Sequence, residues 1–120
     1  MEIRVKDSLV LNIAENKTYY EISLRGFIDD YNTRELQYNL ETFLAKKFKN
    51  TIFDLAEVNY ISSTGFGCLI SIIKFAKDNK FKVCFLHMNS KIKEVSKLLG
   101  FDKFMVIMNA SKDAEEYFKE

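Results

Sequence analysis

Apolar residues recur along this chain with two different spacings, and each spacing predicts a different kind of element. Alternation with period two, clearest at residues 19–25, is typical of a strand that buries one face. Short uninterrupted apolar runs predict strands that are buried on both faces. Together these patterns predict strands at residues 9–13, 19–25, 51–55, 81–86 and 104–108, with a weaker indication at 3–5. Gly26 is expected to end the strand at residues 19–25.

Apolar residues spaced three and four apart predict four helices. The first follows Asn32-Thr33-Arg34-Glu35, which has the form of a capping box. The second follows Ser62-Ser63-Thr64-Gly65, and residues 56–60 before it are expected to form a loop. The third ends at Gly100, and the fourth begins near Ser111. The order of elements predicts an α/β fold: a mixed sheet of four or five strands with about four helices packed mainly on one face.

The composition limits the classes of function. A chain of 120 residues fits one domain, expected to span 1–120. The net charge of +1 argues against broad electrostatic binding to nucleic acid or to anionic membranes. No apolar run approaches the roughly 18 residues of a membrane span, and the N-terminus lacks the apolar core of an export signal. We therefore expect a cytoplasmic protein with neither nucleic acid nor membrane as a partner.

Few residues offer catalytic chemistry. Asp29 and Asp30 form an acidic pair, but no basic group or third acid lies nearby, so one is expected to flank the first helix and the other to be solvated. Cys68 is expected in the first turn of the second helix, where the dipole lowers a thiol pKa. Even so, Cys68 and Cys84 are interpreted as core thiols, and His87 as a strand-end residue. The sequence predicts no catalytic residue, no metal site and no cofactor.

Three consecutive hydroxyls, on Ser62, Ser63 and Thr64, are the most informative feature of the chain. One of them is explained by capping, because a hydroxyl accepts a hydrogen bond from the free amides of a first helical turn. A second is interpreted as a phosphate acceptor, since free amides and the helix dipole favour negative charge at that position.

Residues 54–67 resemble the signature segment of the STAS domain, as found in bacterial anti-sigma factor antagonists. Upstream, residues 24–29 are similar to the family's Leu-x-Gly-x-Leu/Ile-Asp element. Downstream, residues 95–101 and 111–115 are similar to segments around its last two helices. The resemblance covers nearly the whole chain and implies the STAS fold and a binding function without catalysis.

The resemblance also implies a regulatory cycle. Family members bind an anti-sigma factor that is also a serine kinase, and so release a sigma factor. The kinase phosphorylates a serine that corresponds to Ser63, which stops the binding, and a serine phosphatase restores it. The family often has Asp where this chain has Ser62, which makes Ser62 a rival acceptor.

A partner-binding surface around that serine is implied as well, on a protein expected to be a monomer or weak dimer. It comprises Phe27, Asp29, Ser62, Ser63, Thr64, Gly65 and Phe66. Phe27 replaces a commonly acidic residue. Asp54 is expected to support the site by accepting hydrogen bonds from loop amides or hydroxyls. Two alternatives stay open: a STAS scaffold that is never phosphorylated, and a small enzyme that uses a cysteine or aspartate.

Overall fold

A computed structural model describes all residues from Met1 to Glu120, and one six-stranded sheet connects them. The strands are β1 (Glu2–Lys6), β2 (Leu9–Glu15), β3 (Tyr19–Ile28), β4 (Asn50–Ile61), β5 (Val83–Leu86) and β6 (Ile107–Met108). The helices are α1 (Thr33–Lys46), α2 (Ser63–Asp78), α3 (Ser90–Leu98) and α4 (Ser111–Phe118). A single 3-10 turn, Phe101–Lys103, follows α3.

The strands lie side by side in chain order, from β1 to β6. The first two pairings are antiparallel and the remaining three are parallel, so the sheet is mixed. Each parallel pairing needs a crossover, and α1, α2 and α3 provide the three crossovers. The predicted α/β class and mixed sheet are confirmed. The count of six strands arises because weakly indicated β1 pairs with β2 and adds one strand to the five predicted.

Two apolar clusters hold the layers together. The larger contains 25 buried residues and joins one face of the sheet to α1, α2 and α3. The smaller lies on the other face, where α4 places Ala114 against Ile52, Cys84 and Leu86. Helices therefore pack mainly on one face, as predicted, and α4 is the exception. None of the helices combines the length and apolarity that crossing a lipid bilayer requires.

The central strands are longer than their sequence pattern predicts. Residues 56–60 are not a loop but the second half of β4, where they pair with the end of β3. Gly26 does not end β3, which continues to Ile28. Its φ of +119° and the close approach of the Ser8 carbonyl oxygen, only 2.0 Å from where a Cβ would lie, exclude other residues there. Pairing between the two strands compensates for the weak strand propensity of each segment.

The start of α1 corrects another prediction. The helix begins at Thr33 as expected, but Asn32 makes no side-chain capping bond and there is no capping box. Instead Asn32 is fully buried, and its amide donates to the Phe27 carbonyl oxygen at 2.8 Å. Its Oδ1 accepts from the Asp29 N–H at 3.1 Å. Asn32 therefore fixes the loop between β3 and α1, which borders the candidate site.

Candidate functional site

The three hydroxyls lie at the edge of the sheet where β3 and β4 end. The Ser62 N–H donates to the carbonyl oxygen of Ile28, the last residue of β3, at 2.9 Å. The start of α2 is therefore fixed to both central strands. This is the edge at which parallel α/β sheets usually present their binding sites.

Ser62 is the N-cap of α2 and its hydroxyl is fully engaged. Its Oγ accepts a hydrogen bond from the Gly65 N–H at 3.0 Å and donates one to Asp30 Oδ1 at 3.1 Å. One of the three hydroxyls was expected to cap the helix, and the structure assigns that role to Ser62.

Ser63 and Thr64 differ from Ser62 in both exposure and bonding. They are the first two residues of α2, both side chains are exposed, and no hydrogen bond within the chain holds either hydroxyl. Ser63 therefore presents a free hydroxyl directly beside the cap.

Two residues assigned to the partner-binding surface do not reach the surface. Phe66 is fully buried and stacks on Phe101 with ring centroids 5.4 Å apart. Gly65 is also buried, and a Cβ there would lie 2.9 Å from the Ile28 carbonyl oxygen and from the Ile61 side chain. The prediction of direct contact is wrong for both residues. They fix the position of Ser63 instead, because they pack the first turn of α2 against the strand ends.

The ends of β3 and β4 and the loop after β3 expose aromatic side chains. Phe27 is 44% exposed and lies beside Tyr60, which is 53% exposed, in the β3–β4 register. Tyr31, which follows the two aspartates, is 84% exposed. Phe27 is thus exposed at the end of β3, and Tyr31 and Tyr60 are exposed aromatic residues that the predicted surface did not include.

The two aspartates have different roles, which the sequence did not separate. Asp29 Oδ1 accepts from the Tyr31 N–H at 2.9 Å and so shapes the loop. Asp30 is the residue that contacts the hydroxyl segment, through Ser62. Asp30 was absent from the predicted site. Two adjacent aspartates give no local signal of which carboxylate faces a helix that begins about 32 residues later in the chain.

Asp54 does not support the site. Its Oδ1 accepts from the Ala56 N–H at 2.9 Å and lies 3.0 Å from His87 Nδ1. Because β4 continues for seven residues from Asp54 to Ile61, about 23 Å of strand separates Asp54 from the end of β4 that precedes the hydroxyls. The prediction depended on a strand ending at residue 55, and that boundary was wrong.

Both cysteines are buried free thiols, as expected. Cys68 is the sixth residue of α2 rather than part of its first turn, and burial raises its pKa to about 12. Burial raises the pKa of Cys84 to about 12 as well.

These thiols are expected to react slowly in the native protein. A pKa raised from 9.0 to about 12 lowers the thiolate fraction near pH 8 about a thousandfold. Labelling with a chromogenic disulfide reagent should therefore be much slower in buffer than in denaturant, because burial both disfavours the thiolate and blocks access to it. A thiol that reacts rapidly in buffer, as an enzyme nucleophile would, contradicts this expectation.

Ser62→Ala is expected to destabilise the protein by about 1 kcal/mol, because the Gly65 N–H loses its capping acceptor. Ser63→Ala is the matched control and should change the free energy of unfolding by less than about 0.5 kcal/mol, since its hydroxyl is exposed. Urea denaturation measures both values. Equal stabilities of the two variants would show that the Ser62 cap is energetically unimportant.

Comparison with known proteins identifies the family. A sequence model of the STAS domain matches residues 11–114. The anti-sigma-B factor antagonist of Listeria monocytogenes is 23% identical over 103 residues, which cover 85% of this chain and 90% of that relative. The structure of TM1081 from Thermotoga maritima matches with a TM-score of 0.79 at 18% identity, covering 92% of this chain and 95% of that one.

The anti-sigma factor antagonist SpoIIAA is a further structural relative. Its unphosphorylated form matches with a TM-score of 0.73 at 12% identity, covering 89% of this chain and 95% of that one. The phosphorylated form of SpoIIAA, a Bacillus protein, matches with a TM-score of 0.65 at the same identity, covering 89% and 98%. The fold is thus shared throughout, and the family match spans most of the sequence. This chain belongs to the STAS domain family.

Proposed function

We propose that this protein is an anti-sigma factor antagonist, a binding module rather than an enzyme. Its partner is an anti-sigma factor with serine kinase activity, and binding that partner releases a sigma factor. The family match and the name of the Listeria relative support this class of function. Phosphorylation at Ser63 ends the binding, and a serine phosphatase restores it.

The difference between Ser62 and Ser63 is the observation that carries the assignment of the acceptor. The Ser62 hydroxyl donates to Asp30 and accepts from Gly65, so phosphorylating it would break the cap of α2. The Ser63 hydroxyl is exposed and breaks nothing when it reacts. Ser63 is therefore the better acceptor of the two.

The proposed cycle consists of a phosphoryl transfer to Ser63 and the hydrolysis of the resulting phosphate ester. The kinase moves the γ-phosphoryl group of ATP to Ser63 Oγ, the hydroxyl proton passes to a base, and ADP leaves. The phosphatase hydrolyses the ester and returns serine and inorganic phosphate. ATP belongs to the partner, so this chain needs no cofactor of its own.

A phosphate on Ser63 is compatible with the folded protein. The Gly65 N–H is satisfied by Ser62, whereas the N–H groups of Ser63 and Thr64 remain at the open end of α2. Free amides and the helix dipole at such an end stabilise an anion. Phosphorylation is therefore expected to change binding without unfolding the domain.

The proposed contact surface combines the free hydroxyls with the nearby aromatic side chains. Phe27, Tyr31 and Tyr60 are exposed, and Tyr60 lines the same cavity as Ser63. Aromatic side chains are enriched at protein interfaces because they bury large areas at a small cost in entropy.

An enzymatic role has less support. Both thiols are buried and their pKa values are raised to about 12. Asp29 binds a loop amide, and the serine hydroxyl that Asp30 binds is already engaged in capping α2.

Phosphosite mapping tests the proposal. Wild-type protein and the variants Ser62→Ala, Ser63→Ala and Thr64→Ala are each incubated with ATP and an anti-sigma kinase of the same organism, and then analysed by mass spectrometry. One phosphate is expected on Ser63 in every protein except Ser63→Ala. Phosphate on Ser62 or Thr64 with Ser63 unmodified would overturn the assignment. Binding without any phosphorylation would favour the unphosphorylated STAS scaffold.

A further inference from the structure

The start of α2 lies between the loop that carries Asp30 and the first turn of α3, which carries Lys91. Because the strand order is β3-β4-β5, the end of β4 is flanked by the loop after β3 and by the loop after β5. Asp30 belongs to the first loop and Lys91 to the start of α3, which follows the second. The start of α2 therefore has Asp30 on one side and Lys91 on the other, while Arg34 of α1 lines a separate cavity with Thr64 rather than with Ser63.

A cavity of about 250 Å³ separates the start of α2 from the start of α3. Its lining contains Ser63, Tyr60, Val95 and Lys91. Lys91 is the one charged residue among the eight that line this cavity, and no carboxylate in the protein forms a salt bridge with it. The cavity thus contains an unpaired cation beside the exposed hydroxyl.

The position of Lys91 is held by the backbone around it. Asn89 caps α3 by accepting from the Ile92 N–H at 2.8 Å, and its amide donates to the Val58 carbonyl oxygen of β4 at 3.3 Å. The first turn of α3 is therefore attached to the same strand that leads into Ser63. The flexible four-carbon stem of lysine allows the ammonium group to move within this fixed frame.

Asp30 limits where a phosphate on Ser63 can lie. Its carboxylate is 3.1 Å from Ser62 Oγ, on the residue next to Ser63. A phosphate carries about −1.5 to −2 charges at neutral pH, so the two anions repel each other. Repulsion from Asp30 and attraction to Lys91 therefore both favour a phosphate position on the Lys91 side of Ser63.

We propose that Lys91 binds the phosphoryl group of phosphorylated Ser63 and so links the start of α3 to the start of α2. This inference rests on the proposed function, since it concerns the modified state of the same serine. The phosphate then occupies the cavity between Tyr60 and Val95 and excludes a partner side chain from it. Lys91 becomes part of the switch, and Asp30 directs the phosphate toward it.

The test uses protein in which phosphoserine is incorporated at position 63 during translation, so that no kinase is required. Phosphorus NMR at low ionic strength follows the second ionisation of the phosphate as pH is varied. A nearby cation favours the dianion, so Lys91→Gln is expected to lower the acid dissociation constant of the phosphate about threefold, as for an exposed ion pair. Asp30→Asn removes a repelling anion and should raise that constant.

Lys93→Gln is the matched control, because Lys93 is on the same helix but lines a separate cavity with Glu94 and Asp102. Lys93→Gln should leave the acid dissociation constant of the phosphate unchanged. At high salt concentration, Lys91→Gln and Lys93→Gln should give the same constant, because salt screens the exposed charges. Equal effects of Lys91→Gln and Lys93→Gln would overturn the role of Lys91. An unchanged constant in Asp30→Asn would overturn the directing role of Asp30. Because phosphoserine is placed at position 63 without a kinase, these results do not depend on which residue a kinase modifies. A negative result here would therefore overturn the role of Lys91 or Asp30 without overturning the proposed function.

Discussion

Phosphorylation of Ser63 is expected to lower affinity for the anti-sigma partner about a hundredfold. The modification adds about −1.5 to −2 charges to a hydroxyl that is exposed at the first residue of α2. In the free protein this charge is solvated by water and by helix amides, but in the complex it must be desolvated. A loss of about 3 kcal/mol in binding corresponds to that hundredfold change, because each 1.4 kcal/mol is tenfold.

Variants of Ser63 should reproduce the two states of the switch. Ser63→Ala is expected to bind the partner like the unmodified protein and to resist phosphorylation. Ser63→Asp should bind less well than wild type but better than phosphorylated protein, since one carboxylate supplies only part of the charge of a phosphate. Titration calorimetry with the purified partner gives the four affinities.

Thr64→Ala is the control for this experiment, because Thr64 is also exposed and lies one residue away. It should bind with wild-type affinity and should show the full loss when Ser63 is phosphorylated. Phosphorylated protein that binds as tightly as unmodified protein would show that Ser63 does not control the interaction.

Gly65→Val is expected to destabilise the domain by about 3 kcal/mol, near the upper end of typical overpacking costs. A Cβ at this position would lie 2.9 Å from the Ile28 carbonyl oxygen and 2.9 Å from the Ile61 Cγ2. The carbonyl belongs to a backbone that also binds the Ser62 N–H, so it cannot move without disturbing the start of α2. Valine places two further methyl groups in this crowded position, and relieving the steric clash should also displace Ser63.

Gly67 provides a control on the same helix. A Cβ at Gly67 would meet no atom within 4 Å, so Gly67→Ala should stabilise the protein by about 0.5–1 kcal/mol through helix propensity alone. Gly65→Ala carries the same propensity gain but should still be destabilising, because the backbone clash exceeds that gain. Thermal and urea denaturation distinguish the two glycines. A Gly65→Val protein as stable as wild type would contradict the packing argument.

Local patterns were sufficient for the elements whose signals lie within a few residues. The apolar face of α1, with Leu36, Leu40 and Leu44 fully buried, follows from spacing alone. Gly100 has a φ of +79° just after α3, as a helix-ending glycine should. The cap of α2 was also predictable in kind, since a hydroxyl three residues before an amide can accept its hydrogen bond.

Long-range contacts decided the roles that these patterns left open. Asn32 has the sequence of a helix cap, yet it is buried and bonds to Phe27 because β3 extends past Gly26 and brings that carbonyl within reach. Phe66 follows a glycine in a polar segment and looked exposed, but the 3-10 turn after α3 covers it with Phe101. In each case the contacting residue lies outside the segment that carries the pattern.

The sequence by itself determined the α/β class, the elements and the position of the hydroxyl segment at the start of α2, because periodicity and capping act over one or two helical turns. Only the tertiary structure decided which hydroxyl caps α2 and which carboxylate binds that hydroxyl. The pairing of β3 with β4 aligns the two strand ends, and that alignment places Asp30 against Ser62. Ser63 is left free because Ser62 occupies the cap position of α2. A contact across 32 residues depends on strand register and strand length, and neither is encoded in the spacing of nearby side chains.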